Sequence, residues 1–353
     1  MNAAVTGGTG FIGQALVRLL VARGDAVRVL VRRQESDGMV RNLGAEPVRG
    51  DLTAPDGCRD LVRPESVVYH LAARVTTAGR WADFRRTTVE GTRRLLESAL
   101  SSRPARFVYV SSGAVYAPDA ASGSVSAERT PARPPGYNRY ARAKLAAEDL
   151  VRTECERAGC PWSIVRLSCT VYGPGFSPLL RGFVPLAKRG LLCVVGDGRN
   201  QFATLYVDDA ARAVLLAGTH LAAVGNIYDV ASEEPVTQRE FLDAAADVLG
   251  VPRARRELRS AAARRLAYWA AALGELAARV GIAGFPVDRS LLVLMSTNQE
   301  VDTARIRREL GWIPEVGFRD GMRRMGEWYR RLREDEQGAG GPDGDRVVEA
   351  GGA

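Results

Sequence analysis

Lysine is nearly absent from this chain. Of 353 residues only Lys144 and Lys188 are lysine, against 47 arginines, so almost every basic position is written as Arg. Histidine is as scarce, at His70 and His220 alone. The five cysteines, at 58, 155, 160, 169 and 193, are odd in number, scattered and without a CxxC pair. These scarcities argue against a zinc site, or any metal centre, and against a disulfide framework. No run of about 18 uncharged apolar residues occurs, so nothing asks for a membrane span. The nearest candidate, LAYWAAALGELAARVGIAG at 266–284, is interrupted by Glu275 and Arg279 and preceded by Arg264 and Arg265. It reads as an amphipathic helix that packs in the core or covers a pocket, in preference to one that contacts a membrane. The first residues run straight into NAAVTGGTG with no leader-like segment, which makes the cytoplasm the expected location.

A formal net charge of +8 raises the question of nucleic acid, but the arginines are spread along the chain and not clustered with aromatic residues. The basicity reads as compositional bias, with no nucleic-acid partner. With 353 residues, 46% of them apolar, the chain can build one large α/β domain, or one such domain with a smaller one attached. From residue 2 to about 170, β-rich runs (NAAVTG, AVRVLVRR, SVVYHLAA, RFVYVSS, WSIVRLS) alternate with helical patterns. That alternation predicts a parallel sheet covered by helices on both faces. After VYGPG at 171–175 the rhythm changes. Residues 1–175 are therefore expected to form mainly a cofactor-binding domain, and 176–332 mainly a smaller substrate lobe that returns elements to the sheet. The Gly- and charge-rich 333–353 read as a disordered tail.

TGGTGFIG at 6–13 follows an apolar strand and opens a helix. Gly7 suits the tight turn, Gly10 lets backbone approach a pyrophosphate, and Gly13 lets the helix pack closely on the strand. Gly7, Gly10, Phe11, Ile12 and Gly13 are thus candidate contacts to a dinucleotide, in a Rossmann-type doubly wound sheet. At the end of the second strand, where an acidic residue would accept the ribose 2′-OH of NAD, stand Arg32 and Arg33. Two guanidinium groups fit a 2′-phosphate, which favours NADP(H) over NAD(H); the other reading is a solvated surface pair.

VYVSSGAVY at 108–116 is a strand entering a small-residue turn, and YARAK begins 28 residues beyond Ser112. On a helix Tyr140 and Lys144 share a face, whereas Tyr137 has only Ala141 at that offset. A nearby cation favours the phenolate, so the pairing is expected to bring the Tyr140 phenol down toward a useful catalytic range. With TGGTGFIG, GDL at 50–52, HLAA at 70–73, VEGT at 89–92, SSGAVY at 111–116, VYGPG, YVDDAARA at 206–213 and ELGWIP at 309–314, the chain resembles the extended short-chain dehydrogenase/reductases along residues 2 to 330. The resemblance implies that Asp51 contacts adenine with Leu52 alongside, and that Leu71, Ala72 and Ala73 line the phosphate and ribose path. It also implies that Ser112 holds the substrate oxygen, Tyr140 passes the proton, and Lys144 binds the nicotinamide ribose and lowers the tyrosine's pKa. Members commonly dimerise through the YxxxK helix and the one before it, so a homodimer is expected. One departure is Thr88, where the family usually has Asn; this puts the usual backbone or water contact in doubt.

Sugar-nucleotide members of that family tend to carry an arginine in GDGxxxRDFxYVxD. GDGRNQFATLYVDD at 196–209 has Phe202 in that slot, with Arg199 close by. Gly113 and Ala114 replace the acidic pair of sugar dehydratases. Residues 264–314 look like the 3β-hydroxysteroid dehydrogenase and dihydroflavonol reductase-like branch, with Leu266, Trp269 and Leu273 expected in the core or over a lipophilic substrate. The expected activity is an NADPH-dependent carbonyl reductase or alcohol dehydrogenase acting on a small, mostly apolar molecule. The alternatives are a nucleotide-sugar epimerase or dehydratase and a non-catalytic cofactor-binding protein.

Overall fold

The computed structural model describes residues 1–76, 79–116, 125–126, 128–175, 178–279 and 289–338. The β-branched and aromatic runs of the first half form β1 (Asn2–Thr6), β2 (Ala26–Val31), β3 (Glu46–Arg49), β4 (Val67–His70), β5 (Arg106–Ser112) and β6 (Trp162–Leu167). Shorter strands follow: β7 (Thr170–Tyr172), β8 (Cys193–Val195), β9 (Gln201–Phe202), β10 (Thr204–Tyr206), β11 (Asn226–Val230), β12 (Val236–Thr237) and β13 (Arg256–Leu258). The helices are α1 (Phe11–Ala22), α2 (Glu35–Asn42), α3 (Trp81–Phe84), α4 (Glu90–Ser101), α5 (Arg139–Ala158), α6 (Pro178–Lys188), α7 (Val207–Thr219), α8 (Gln238–Leu249), α9 (Ala261–Arg279), α10 (Arg289–Ser296), α11 (Ala304–Leu310) and α12 (Phe318–Gly338).

Seven strands make one parallel sheet in the order β3, β2, β1, β4, β5, β6, β11. The α/β doubly wound class is the one expected, and β11 is the late element that returns to the sheet edge. Strand order reverses between β1 and β4, and at such a switch point the carboxyl ends of neighbouring strands open a crevice. Side chains along β5 alternate between two cores. Val108 and Val110 pack with Leu16 and Leu20 of α1 and Val214 and Ala217 of α7. Phe107 and Tyr109 pack on the other face with Leu95 and Leu96 of α4 and Ala147 and Val151 of α5. Burial on both faces is why these strands are continuous apolar runs.

The smaller lobe is built on the parallel β8 and β13 pair, against which Ala271 of α9 and Leu292 of α10 are buried. Here the core alternative of one expectation fails: Leu266, Trp269 and Leu273 are 73%, 64% and 65% exposed and lie outside the core. Small Ala267 and Ala271 form the inward face, letting the helix sit close and turning the large residues outward. The tail also begins later than expected, because α12 continues through Gly338. Arg323 pairs with Asp320 and Glu327, and Arg324 with Asp320, so this helix draws on charges at helical spacing. Residues 339–353 lie outside the described residues, as do 280–284 of the apolar segment.

Candidate active site

The glycine-rich turn joins β1 to α1 at the switch point. Gly7 has φ +72°, and a Cβ there would stand 2.7 Å from the Ala72 nitrogen. A Cβ on Gly13 would fall 2.0 Å from the Gly7 carbonyl oxygen. Both positions are therefore closed to any side chain. Gly10 is the N-cap of α1 and has no side-chain cap, so the first N–H groups of α1 stay free to meet phosphate oxygens. This cradle fits a dinucleotide, with Phe11 and Ile12 in the first turn of the helix. Arg32 and Arg33 follow β2, are exposed, and have no ion-pair partner among the described residues. The Asp51 carboxylate accepts hydrogen bonds from the backbone and hydroxyl of Thr53 at 2.7 and 2.8 Å through one oxygen. Leu52 is buried beside it.

A second feature of this end was not anticipated from sequence. His70, fully buried at the end of β4, sits 2.6 Å from the Thr6 hydroxyl and 2.8 Å from the Thr92 hydroxyl. Thr92 spends its proton on the Thr88 carbonyl at 2.6 Å. His70 Nε2 must then be the donor to Thr92, and Nδ1 accepts from Thr6. Burial, with the charge of Lys144, holds the imidazole down at about 3, so it is neutral. Thr6 in turn accepts from the Ala72 nitrogen, and Leu71 N–H bonds to the Thr6 carbonyl, fixing the Leu71, Ala72 and Ala73 segment against the glycine turn. Thr88 lies in a π-helical turn, Arg85–Val89, ahead of α4. Its hydroxyl accepts from the Arg74 nitrogen at 3.2 Å, so threonine here does secure backbone beyond HLAA.

Ser112 ends β5 and caps the following 3₁₀ turn, accepting from Ala114 N–H at 3.2 Å. Asn138 caps α5 through Ala141 N–H at 3.0 Å, which places Tyr140 in the first turn and Lys144 one turn on. The structure corrects one expectation. Burial raises the Tyr140 phenol to about 12, and the Ser112 hydroxyl pulls it partly back. The Lys144 ammonium instead donates to the Val110 carbonyl at 2.7 Å and lies 4.8 Å from the centre of the Tyr109 ring. Burial lowers Lys144 to about 7, and the charge of Glu148 partly opposes that fall.

Glu148 continues the spacing of Tyr140 and Lys144 by one more turn, a signal the sequence reading left unused. It binds Arg166 of β6 bidentately, at 3.0 and 2.6 Å. Arg166 also donates to the Tyr116 hydroxyl at 2.9 Å, and Tyr116 donates to Asp229 of β11. All four side chains are buried. The network ties α5 to the sheet directly behind the Ser112 turn.

Beyond β8, Phe202 is buried against Phe241, with ring centroids 5.7 Å apart, and Arg199 is exposed. Cys169 is exposed, with its sulfur 3.9 Å from the Ser112 oxygen. Tyr137 meets Tyr268 of α9 edge-on at 6.2 Å, and the Arg289 guanidinium lies over both rings. Tyr268 also lines a cavity of about 360 Å³ in which Val195, Leu258, Leu292 and Val293 face Arg264, Arg265 and Ser296. Among the described residues no cluster of His, Cys, Asp or Glu could hold a metal ion.

The model of the NAD dependent epimerase/dehydratase family matches residues 3–231. The chain belongs to that family. Its members are NAD(P)-dependent oxidoreductases, epimerases and dehydratases, and this chain is an NAD(P)-dependent enzyme of the extended short-chain dehydrogenase/reductase type. A 2-alkyl-3-oxoalkanoate reductase of Stenotrophomonas maltophilia is 29% identical over 331 residues, covering 92% of this chain and 98% of the relative. A ceramide reductase of Caulobacter vibrioides is 33% identical over 248 residues, 70% of each chain. The solved UDP-glucose 4-epimerase of Thermotoga maritima, with UDP-glucose, superposes with a TM-score of 0.73 at 22% identity, over 94% of this chain and all of that one. That last likeness is one of fold.

Proposed function

We propose that this family member is an NADPH-dependent ketoreductase whose substrate is a ketone carrying an alkyl chain. The observation behind the reading is the Ser112 hydroxyl hydrogen-bonded to the Tyr140 phenol one helical turn from Lys144, in a chain whose smaller lobe holds a separate cavity with aliphatic walls. Phe202 fills with a buried ring the sequence position where sugar-nucleotide members tend to carry an arginine, and the 360 Å³ cavity is lined by six aliphatic side chains together with Tyr268, Ser296, Arg264 and Arg265. The aliphatic part of that lining suits an alkyl chain. The relatives named for reducing 2-alkyl-3-oxoalkanoates and ceramide point the same way.

A bound nicotinamide dinucleotide supplies the hydride. Ser112 hydrogen-bonds the ketone oxygen, and Tyr140, protonated across the neutral range, donates its proton to that oxygen as charge develops. Lys144 holds the ribose hydroxyls and keeps the local potential positive. Gly7, Gly10 and Gly13 seat the phosphates, and Arg32 and Arg33 bind the 2′-phosphate. The working unit is a homodimer through α4 and α5, a cytoplasmic one by the sequence reading. The test follows NADPH absorbance at 340 nm with 3-oxo compounds of increasing alkyl length. The reading expects kcat/KM to rise with chain length. Turnover of a nucleotide sugar with no net absorbance change would replace it with an epimerase.

A further inference from the structure

The outward face of α9 is apolar where a surface helix is ordinarily polar. Ala262, Leu266, Trp269 and Leu273, spaced at i, i+4, i+7 and i+11, are all exposed and span about 16 Å of helix at 1.5 Å per residue. Large exposed apolar residues are normal when scattered, but three on one helical stripe form a patch. The inward face is occupied by Ala267 and Ala271, with Tyr268 beside them against Tyr137, so rotation of the helix would empty the lobe core. The helix's only acid, Glu275, is bound bidentately to Arg289 at 3.1 and 2.7 Å and offers the outer face no negative charge. Arg265, one turn from Trp269, is exposed, as are Arg255 and Arg256 in the strand segment leading to the helix. None of the three has an ion-pair partner among the described residues.

From these features we infer that α9 docks the enzyme on an anionic lipid surface, lying in the interface with Leu266, Trp269 and Leu273 among the acyl chains and the arginines at the headgroups. An indole is suited to that boundary, and basic side chains beside an apolar stripe add attraction to anionic lipid. A second copy of the chain is the poorer occupant: a two-fold interface through this face would bring each Arg265 toward the same basic surface of its mate. No helix among the described residues is long and apolar enough to cross a membrane, so contact is in the plane of the interface. The inference stands apart from the choice of substrate.

The experiment is vesicle flotation of the full chain with phosphatidylcholine alone and with phosphatidylcholine mixed with phosphatidylglycerol, together with tryptophan quenching by brominated lipid. Binding is expected to be at least about tenfold stronger on the anionic vesicles and to weaken with salt. Quenching should be largely lost in Trp269→Phe. The triple variant Leu266→Ser, Trp269→Ser, Leu273→Ser should lose flotation while keeping its NADPH affinity and melting temperature. Flotation of the triple variant equal to that of the parent would overturn the inference. So would absence of binding to anionic vesicles, whether or not the triple substitution dissociates an oligomer.

Discussion

Glu148 grips Arg166 through two hydrogen bonds, 3.0 and 2.6 Å long, in a place where neither side chain meets solvent. Both charges have given up their water, so the pair's value lies in mutual satisfaction and in where it holds α5. Tyr140 and Lys144 stand on the same helical face as Glu148, and Arg166 is fixed by the sheet. The network therefore sets the height of Tyr140 and Lys144 above the strand ends.

Glu148→Gln should be costly in stability and should move the activity profile. Breaking a buried pair by removing one partner costs about 3–5 kcal/mol, because the remaining charge is left uncompensated. Thermal unfolding should show that loss directly. In addition, the carboxylate raises Lys144 from an otherwise lower value, so its removal should shift the lysine's titration to lower pH. With a charged Lys144 needed for turnover, the fall of kcat/KM near pH 7 would move acidward in the variant. An unmoved profile would confine Glu148 to a structural role.

Tyr140→Phe should retain the fold and NADPH binding while losing about 10²- to 10⁴-fold in kcat, the usual worth of a positioned proton donor. The phenol, raised to about 12, stays protonated across any ordinary assay range. The reductive rate should accordingly show no alkaline limb belonging to Tyr140 below that value. Retained turnover in the phenylalanine variant would remove it as proton donor.

What could be read before the structure was local. The alternation of strands and helices, the glycine spacing and the four-residue interval from Tyr140 to Lys144 are all periodicities within one or two elements. The networks around His70 and Arg166 join residues 64 and 113 positions apart, from Thr6 to His70 and from Tyr116 to Asp229, and only the strand order brings them together. The phenol's titration was misjudged for a related reason: proximity along a helix names the neighbour, but burial and the Val110 carbonyl decide where the ammonium turns. The orientation of α9 was illegible because alanine is as apolar as it is small. A helix with alanines on one side and Leu266, Trp269 and Leu273 on the other has two apolar faces, and close packing selected the small one.

Arg32 and Arg33 give the cofactor preference a direct test. Each charge-assisted hydrogen bond to a phosphate is worth about 1.5–3 kcal/mol, so replacing either arginine by alanine should cost roughly 10- to 100-fold in kcat/KM for NADPH. Use of NADH, which lacks the phosphate, should change little. Steady-state kinetics with both cofactors checks this, and a parent enzyme that uses NADH as well as NADPH would return the two arginines to ordinary surface charge.

Lys144 should also leave a signature in stability that needs no substrate. Its folded value, about 7, lies below the roughly 10.4 of an unfolded lysine. Below about pH 7 both states hold the proton and the native state bears the full penalty of a buried ammonium. Between about 7 and 10.4 the unfolded chain binds more protons than the folded one, so stability rises with pH across that window. Lys144→Met removes the group and with it this slope. The difference in melting temperature between parent and variant should therefore change with pH from 7 to 10, in the parent's favour, and be flat below 6. A difference independent of pH would mean that Lys144 keeps its proton in the folded enzyme, held there by Glu148 more strongly than burial opposes.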